Sequence, residues 1–196
     1  MSGIMDGVLR VTMNDSAAGL LGMPGGSGLP APPGGLAPGL RERVAQGLVR
    51  RGAVLGWAAS TDGAERAPAP FHDLTGWECD RSSLHLEDFV PVQVVTVGHV
   101  PVIGDEGQRV LLLHGVALAL EVGRLARALH PPVPVRCVVS ANETSATFRF
   151  HRIRPGESWN AADLDGYAGD KVIVVDRGRF AAFQERPDGP GAAYDS

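Results

Sequence analysis

Residues 133–154, VPVRCVVSANETSATFRFHRIR, predict two antiparallel strands joined by a polar turn. The first part, residues 133–140, is apolar and rich in β-branched side chains, which is typical of a buried strand. In the last part, two phenylalanines alternate with polar and basic side chains, and a period of two indicates a strand with one buried face. Residues 142–145 are of types common in turns. We therefore predict a hairpin of strands 133–140 and 146–154.

A long apolar helix is predicted before this hairpin, over residues 107–129. Its central run, 110–120, is interrupted only by His114 and a glycine. At about 100° per residue, His114 lies near a solvent-facing stripe of the helix. The run is too short for a membrane span, which needs about 20 residues. Residues 89–97 predict a valine-rich strand, so the order strand, helix, strand favours parallel pairing of 89–97 with 133–140.

The order of the predicted elements gives the fold class. The remaining elements are a helix at 39–51, a strand at 53–60, a short helix at 160–167 and a last strand at 171–176. Helices and strands interspersed in a chain of this size predict one α+β domain. We expect a mixed sheet of about four to five strands packed on the long buried helix 107–129.

The composition changes at both ends of the chain. Residues 1–38 contain three charged side chains, no aromatic residue and most of the block GMPGGSGLPAPPGGLAPG. Such a segment cannot bury enough apolar surface to offset the entropy of ordering it. The chain ends in a similar segment, ERPDGPGAAYDS. We therefore predict a disordered leader at 1–38, a globular domain at 39–176 and a flexible tail at 177–196.

Charge and cysteine content argue against several classes of protein. The net charge of −4 does not fit a general nucleic-acid binder, which normally carries a basic excess. Cys79 and Cys137 form no CxxC pair, so cysteines alone provide neither a zinc knuckle nor a redox motif. The N-terminus lacks the basic and apolar regions of a secretory signal. We expect a cytosolic protein with two reduced thiols, no cofactor and no membrane association.

Residues 71–88 contain two histidines, a cysteine and several carboxylates. His72, Cys79 and His85 are zinc ligands by residue type, but their spacing matches no structural-zinc motif, so we predict no metal. We interpret the segment as an irregular acidic loop. Long irregular segments often carry function, which makes His72 and Asp73 candidate binding residues.

Polar residues are also concentrated over residues 140–159. The serines there lack the backbone elbow that presents a nucleophile, so a turn is favoured over a catalytic site. Glu143 lies in the turn, whereas Arg149 and His151 share one strand face and can hold an anionic group. The phenylalanines point to the opposite face, so base stacking and phosphate contact would not coincide. This pattern favours an acidic protein surface over nucleic acid.

The leading hypothesis is a small cytosolic protein-interaction module. It would bind a partner with an acidic surface through Arg149 and His151, or bind through the acidic loop 71–88. Toxin-neutralising immunity proteins are one such class, by analogy alone.

An enzyme is the alternative hypothesis. It would be a small hydrolase or transferase with His72 or His151 as base and Glu143 or Asp73 as acid, because these titratable groups lie nearest to loops. A concave pocket joining the two polar segments would favour the enzyme, and a flat charged face would favour the binder.

Overall fold

The computed structural model of the chain describes residues 8–22, 31–59 and 63–178. Across these ranges the strands form one main sheet and two small two-stranded sheets. The elements, in chain order, are β1 (Val8–Met13), α1 (Asp15–Leu21), α2 (Pro38–Gln46), β2 (Leu48–Arg51), β3 (Val54–Trp57), α3 (Leu74–Ser82), β4 (Leu84–His85), a 3-10 helix (Leu86–Asp88), β5 (Val94–Val97), β6 (Val100–Ile103), α4 (Asp105–Ala128), β7 (Val135–Ala141), β8 (Ala146–Arg152) and β9 (Lys171–Gly178).

The main sheet has five strands in the order β1-β9-β7-β8-β4, and every neighbouring pair is antiparallel. Central strand β7 pairs Cys137 with Phe150 of β8 on one side and with Val175 of β9 on the other. Helix α4 packs on this face of the sheet, where these side chains are buried. The predicted hairpin and the α+β class, with a sheet packed on a long helix, are confirmed.

Helix α4 supplies much of the core. Its buried apolar residues are Leu111, Leu112, Leu113, Val116, Leu118, Ala119, Val122 and Ala126. A Cβ at Gly115 would collide with Val139, so glycine allows the helix to approach β7 closely. The expectation for His114 was wrong: it is 8% exposed, and its Nδ1 accepts a hydrogen bond from the Ala37 N–H at 3.3 Å because the segment before α2 covers this side. No described helix is long and apolar enough to cross a bilayer.

Residues 89–97 do not form a central strand. Within the described ranges, β5 pairs with β6 alone, and all four of its residues are exposed. The expected parallel pairing with β7 is therefore not formed. Gly98 and His99 have φ values of +55° and +77° and close a two-residue turn between β5 and β6. A local hairpin of this kind costs less loop-closure entropy than a crossover through the helix.

Part of the predicted leader is folded. Residues 8–13 form edge strand β1 against β9, and α1 follows. Asn14 joins the two: its Oδ1 accepts hydrogen bonds from the N–H groups of Ala17 and Val172, each at 3.0 Å. The composition of residues 1–38 did not indicate that a buried asparagine side chain orders part of this segment. Residues 1–7 and 23–30 of the predicted leader, and residues 179–196 of the predicted tail, lie outside the described residues.

Three local predictions also differ from the structure. The segment 71–88, expected to be irregular, contains helix α3, whose N-terminus is capped by Asp73. The predicted helix 39–51 ends early, because Gly47 adopts φ +80° and the chain turns into β2. Residues 160–167 form turns rather than a helix, and there the Tyr167 hydroxyl accepts a hydrogen bond from the Ala161 N–H at 2.8 Å.

We predict that Asn14→Ala destabilises the protein by about 1–3 kcal/mol, because it removes a helix cap and leaves the buried N–H of Val172 without its acceptor. Urea unfolding would measure the loss. Ser16→Ala, at an exposed position of α1, serves as the control and should stay within about 0.5 kcal/mol of wild type. Equal stabilities for the two variants would show that β1 and α1 do not depend on this amide.

Candidate functional site

Glu143, one of the predicted acids, lies far from His72 and Asp73. Asp73 caps α3, with Oδ1 accepting the Gly76 N–H at 2.7 Å, and His72 beside it is exposed. The N-terminal end of α3 lies against the segment that follows β8. There, Glu157 accepts hydrogen bonds from the Thr75 N–H and hydroxyl at 3.1 and 2.8 Å. Glu143 lies exposed in the turn before β8. The seven residues of β8 separate these positions by about 20 Å.

Arg149 and His151 share a sheet face but not an environment. Arg149 is half-buried, donates to the Thr147 hydroxyl at 3.0 Å and lies 5.7 Å from the ring centre of Trp159. His151 is 1% exposed, and its Nδ1 lies 2.9 Å from the Arg152 carbonyl oxygen. The chain after β8 passes over this face, so only Arg149 retains access to solvent. The two residues do not form an open basic row.

A polar row crosses the sheet beside His151. Arg136 of β7 pairs in register with His151 on one side and Asp176 on the other. Its Nε and Nη2 donate to the two Asp176 carboxylate oxygens at 2.7 and 2.8 Å, and this hydrogen bonding raises the pKa of Arg136. Burial lowers the pKa of His151. Its Nε2 has no hydrogen-bond partner among the described residues. A neutral histidine therefore lies next to a satisfied ion pair.

The polar residue that organises this end of the molecule is Glu78. Its Oε1 accepts from the Leu55 N–H at 2.6 Å, and its Oε2 accepts from the Arg152 N–H at 2.7 Å. Arg154 donates to both oxygens, at 2.6 and 2.9 Å. With the Glu78 side chain wholly buried and that of Arg154 10% exposed, this is a closed ion pair rather than an open site.

Sequence reasoning assigned no role to Glu78. One feature of the sequence could have indicated that Glu78 is buried. The buried residues of α3 recur with a helical period, namely Thr75, Glu78, Cys79 and Ser82. Polar and small residues fill these positions, so a search for apolar periodicity does not find them. Ser82 completes the contact with β8: its hydroxyl donates to the Phe150 carbonyl at 2.8 Å.

The cysteines and histidines of the chain do not form a reactive centre. Cys79 and Cys137 are free and buried. Burial raises the pKa of Cys79 to about 12 and also raises the pKa of Cys137, so neither thiol is ionised near neutral pH. His72 and His85 are exposed and do not approach Cys79 as a ligand set: the described residues contain no group of three or more His, Cys, Asp or Glu able to hold a metal ion.

The most unusual surface is the β5–β6 hairpin with its two flanks, residues 91–104, which we call the arm. It has no Asp, Glu, Lys or Arg. Four of its valines expose 47–63% of their surface, namely Val94, Val95, Val97 and Val100. Residues of both β5 faces are exposed, so the hairpin projects from the body. Exposure falls toward its base, where Ile103 is 2% exposed.

An open groove of about 400 Å³ lies at the base of the arm. Pro91, Val92 and Val95 line one side of it, and Gly107 and Val110 of α4 line the other. The groove therefore continues the apolar surface of the arm onto the body. It does not join the segments 71–88 and 140–159.

We predict that Glu78→Ala or Arg154→Ala costs about 3–5 kcal/mol, because each change leaves a buried charge without its partner. The double variant Glu78→Ala/Arg154→Ala should lose less stability than the sum of the two single losses, since it leaves no unpaired charge. Urea unfolding of the three variants and wild type gives this coupling free energy. Additive losses would show that the pair is not coupled.

We also predict that acid weakens the fold in part through His151. Burial lowers the pKa of this histidine and of His114 in the folded state. The unfolded chain therefore binds more protons as the pH falls below about 6.5, and the free energy of unfolding decreases. His151→Gln should flatten this dependence, measured by urea unfolding between about pH 7.5 and 5.5. The same slope in wild type and variant would contradict the prediction; His72→Gln, at an exposed position, is the control.

Comparison with known proteins places the chain in a family. The model of the Uncharacterized protein PM0498 family matches residues 36–184, which is most of the chain, and the chain belongs to this family. The matched range contains the arm, α4 and strands β7 to β9, whereas β1 and α1 precede it. No curated protein and no solved structure matches the chain.

Proposed function

We propose that this member of the PM0498 family is a protein-interaction module that docks on another protein through the arm. The observation that carries the proposal is the concentration of apolar surface. Of the eight large hydrophobic side chains exposed among the described residues, four lie on the arm. Isolated exposed hydrophobic residues are ordinary, but a contiguous apolar patch on a soluble protein marks an interaction site.

The arm changes the chemistry expected of the partner. The sequence favoured an acidic partner held by Arg149 and His151, but His151 is buried and Arg149 already contacts Trp159. The arm has no charge to match an acidic surface, so the proposed partner presents an apolar surface or an unpaired strand. We propose a cytosolic location as well, which two free, buried thiols support.

A hydrolase or transferase has less support. Glu143 lies at the other end of β8 from His151. Asp73 is committed to capping α3, and His151 is buried. The groove of about 400 Å³ lies beside the arm, where Glu106 is the titratable side chain among its lining residues.

Site-specific photo-crosslinking in cells that express the protein tests the proposal. A photoreactive amino acid at Val97, which is 63% exposed, should give a discrete adduct with another protein molecule. The same amino acid at Leu120, an exposed apolar position on α4, should give none. Equal labelling at both positions, or no adduct at Val97, would count against docking through the arm. The mass of the adduct identifies the partner as a second copy of this chain or as a different protein.

A further inference from the structure

We infer that the arm pairs with a second copy of this chain, strand β5 of one copy lying antiparallel to strand β5 of the other. The inference rests on the proposed function of the arm and names its partner. It predicts a symmetric dimer in which the two hairpins form one four-stranded sheet. The directions of the backbone groups on the arm's two outer edges support this arrangement.

The turn fixes which backbone groups point outward. Gly98 and His99 both have positive φ, which is the type I′ geometry of a two-residue hairpin loop. The flanking residues, Val97 and Val100, therefore form a hydrogen-bonded pair. Because hydrogen-bonded and non-hydrogen-bonded pairs alternate, Thr96 pairs with Pro101 without hydrogen bonds, and its backbone groups point outward.

The outer edge of β6 is closed. At the centre of this edge, Pro101 has no N–H to donate. At its end, the Ile103 N–H donates to the Glu143 carbonyl at 2.7 Å, and the Ile103 carbonyl accepts from the Gln108 side-chain amide at 2.7 Å. These bonds also confirm the alternation, because they show that the backbone groups of Ile103 point away from β5.

The outer edge of β5 is open. By the same alternation, the N–H and carbonyl groups of Val94 and Thr96 point away from β6, and they have no hydrogen-bond partner among the described residues. Neither proline nor a charged side chain interrupts the sequence VVTV. An exposed apolar strand edge without these features is a template for pairing with another strand.

A second copy suits this edge better than a charged partner. Each chain carries a net charge of −4, so the net charges of two copies oppose their association. The uncharged arm is where they meet with little repulsion. A two-fold axis brings the same strand from each copy together, which makes the interface self-complementary. Four strands also form a more stable sheet than an isolated hairpin, which is marginal in water.

Light scattering of the purified full chain tests the dimer. The mass should rise with concentration from 20.5 kDa toward twice that value. Thr96→Pro removes the outward N–H and spares the bonds to β6, so it should weaken dimerisation by about tenfold or more. Thr96→Val keeps the N–H and nearly the same shape, so it should dimerise like wild type. A Thr96→Pro variant that dimerises like wild type would overturn β5 pairing.

Amide hydrogen exchange of the wild-type protein gives a second test without a variant. Exchange at Val94 and Thr96 should slow as the concentration rises, whereas exchange at Val95 and Val97, whose N–H groups face β6, should change less. A mass of 20.5 kDa at all concentrations, with fast exchange at Val94 and Thr96, would overturn the inference. A photo-crosslink from Val97 to a different protein would then leave the proposed function standing, and the lack of any adduct would remove both.

Discussion

A carboxylate buried at the junction of three elements is the constraint on which the fold depends most. Glu78 of α3 accepts main-chain hydrogen bonds from Leu55 of β3 and Arg152 of β8. It also accepts two hydrogen bonds from the Arg154 guanidinium. Removing these charges from water is costly, and the bonds offset the cost only while all the elements keep their positions. The ion pair therefore holds α3 against β8 and the small sheet. It also closes the surface where the sequence suggested a loop site.

The face of the main sheet that lies opposite α4 is closed by a second ion pair and by apolar side chains. The Arg136–Asp176 pair joins β7 and β9, and Leu164 and Tyr167 from the segment after β8 cover a cluster of valines beside it. Because α4 covers the other face, both faces of the main sheet are covered where its central strands lie. The body thus places most of its apolar surface inside, which makes the exposed valines of the arm a local exception rather than a general feature of the surface.

The sequence predicted elements with clear periodicity and failed where polar residues determine the packing. The β7–β8 hairpin and α4 follow from apolar periods of two and 3.6. Helix α3 was missed because its buried face carries Glu78, Cys79 and other small or polar residues. Strand β1 was missed because it precedes a Gly/Pro-rich block and depends on the amide of Asn14. The arm was interpreted as a core strand, since valine content alone does not distinguish a buried strand from an exposed one.

Comparison of the edge strands shows why the exposed arm calls for a partner. Proteins protect sheet edges with short strands, charges, proline or covering segments. Here β4 is two residues long, β1 and β2 carry arginines, and the Leu55 N–H of β3 is covered by Glu78. On the arm itself, β6 contains Pro101. Among the described edge strands, β5 is short at four residues but has no charge, proline or covering segment, although it is one of the most apolar. A chain that protects its other edges in several ways and leaves this one open has a surface suited to pairing.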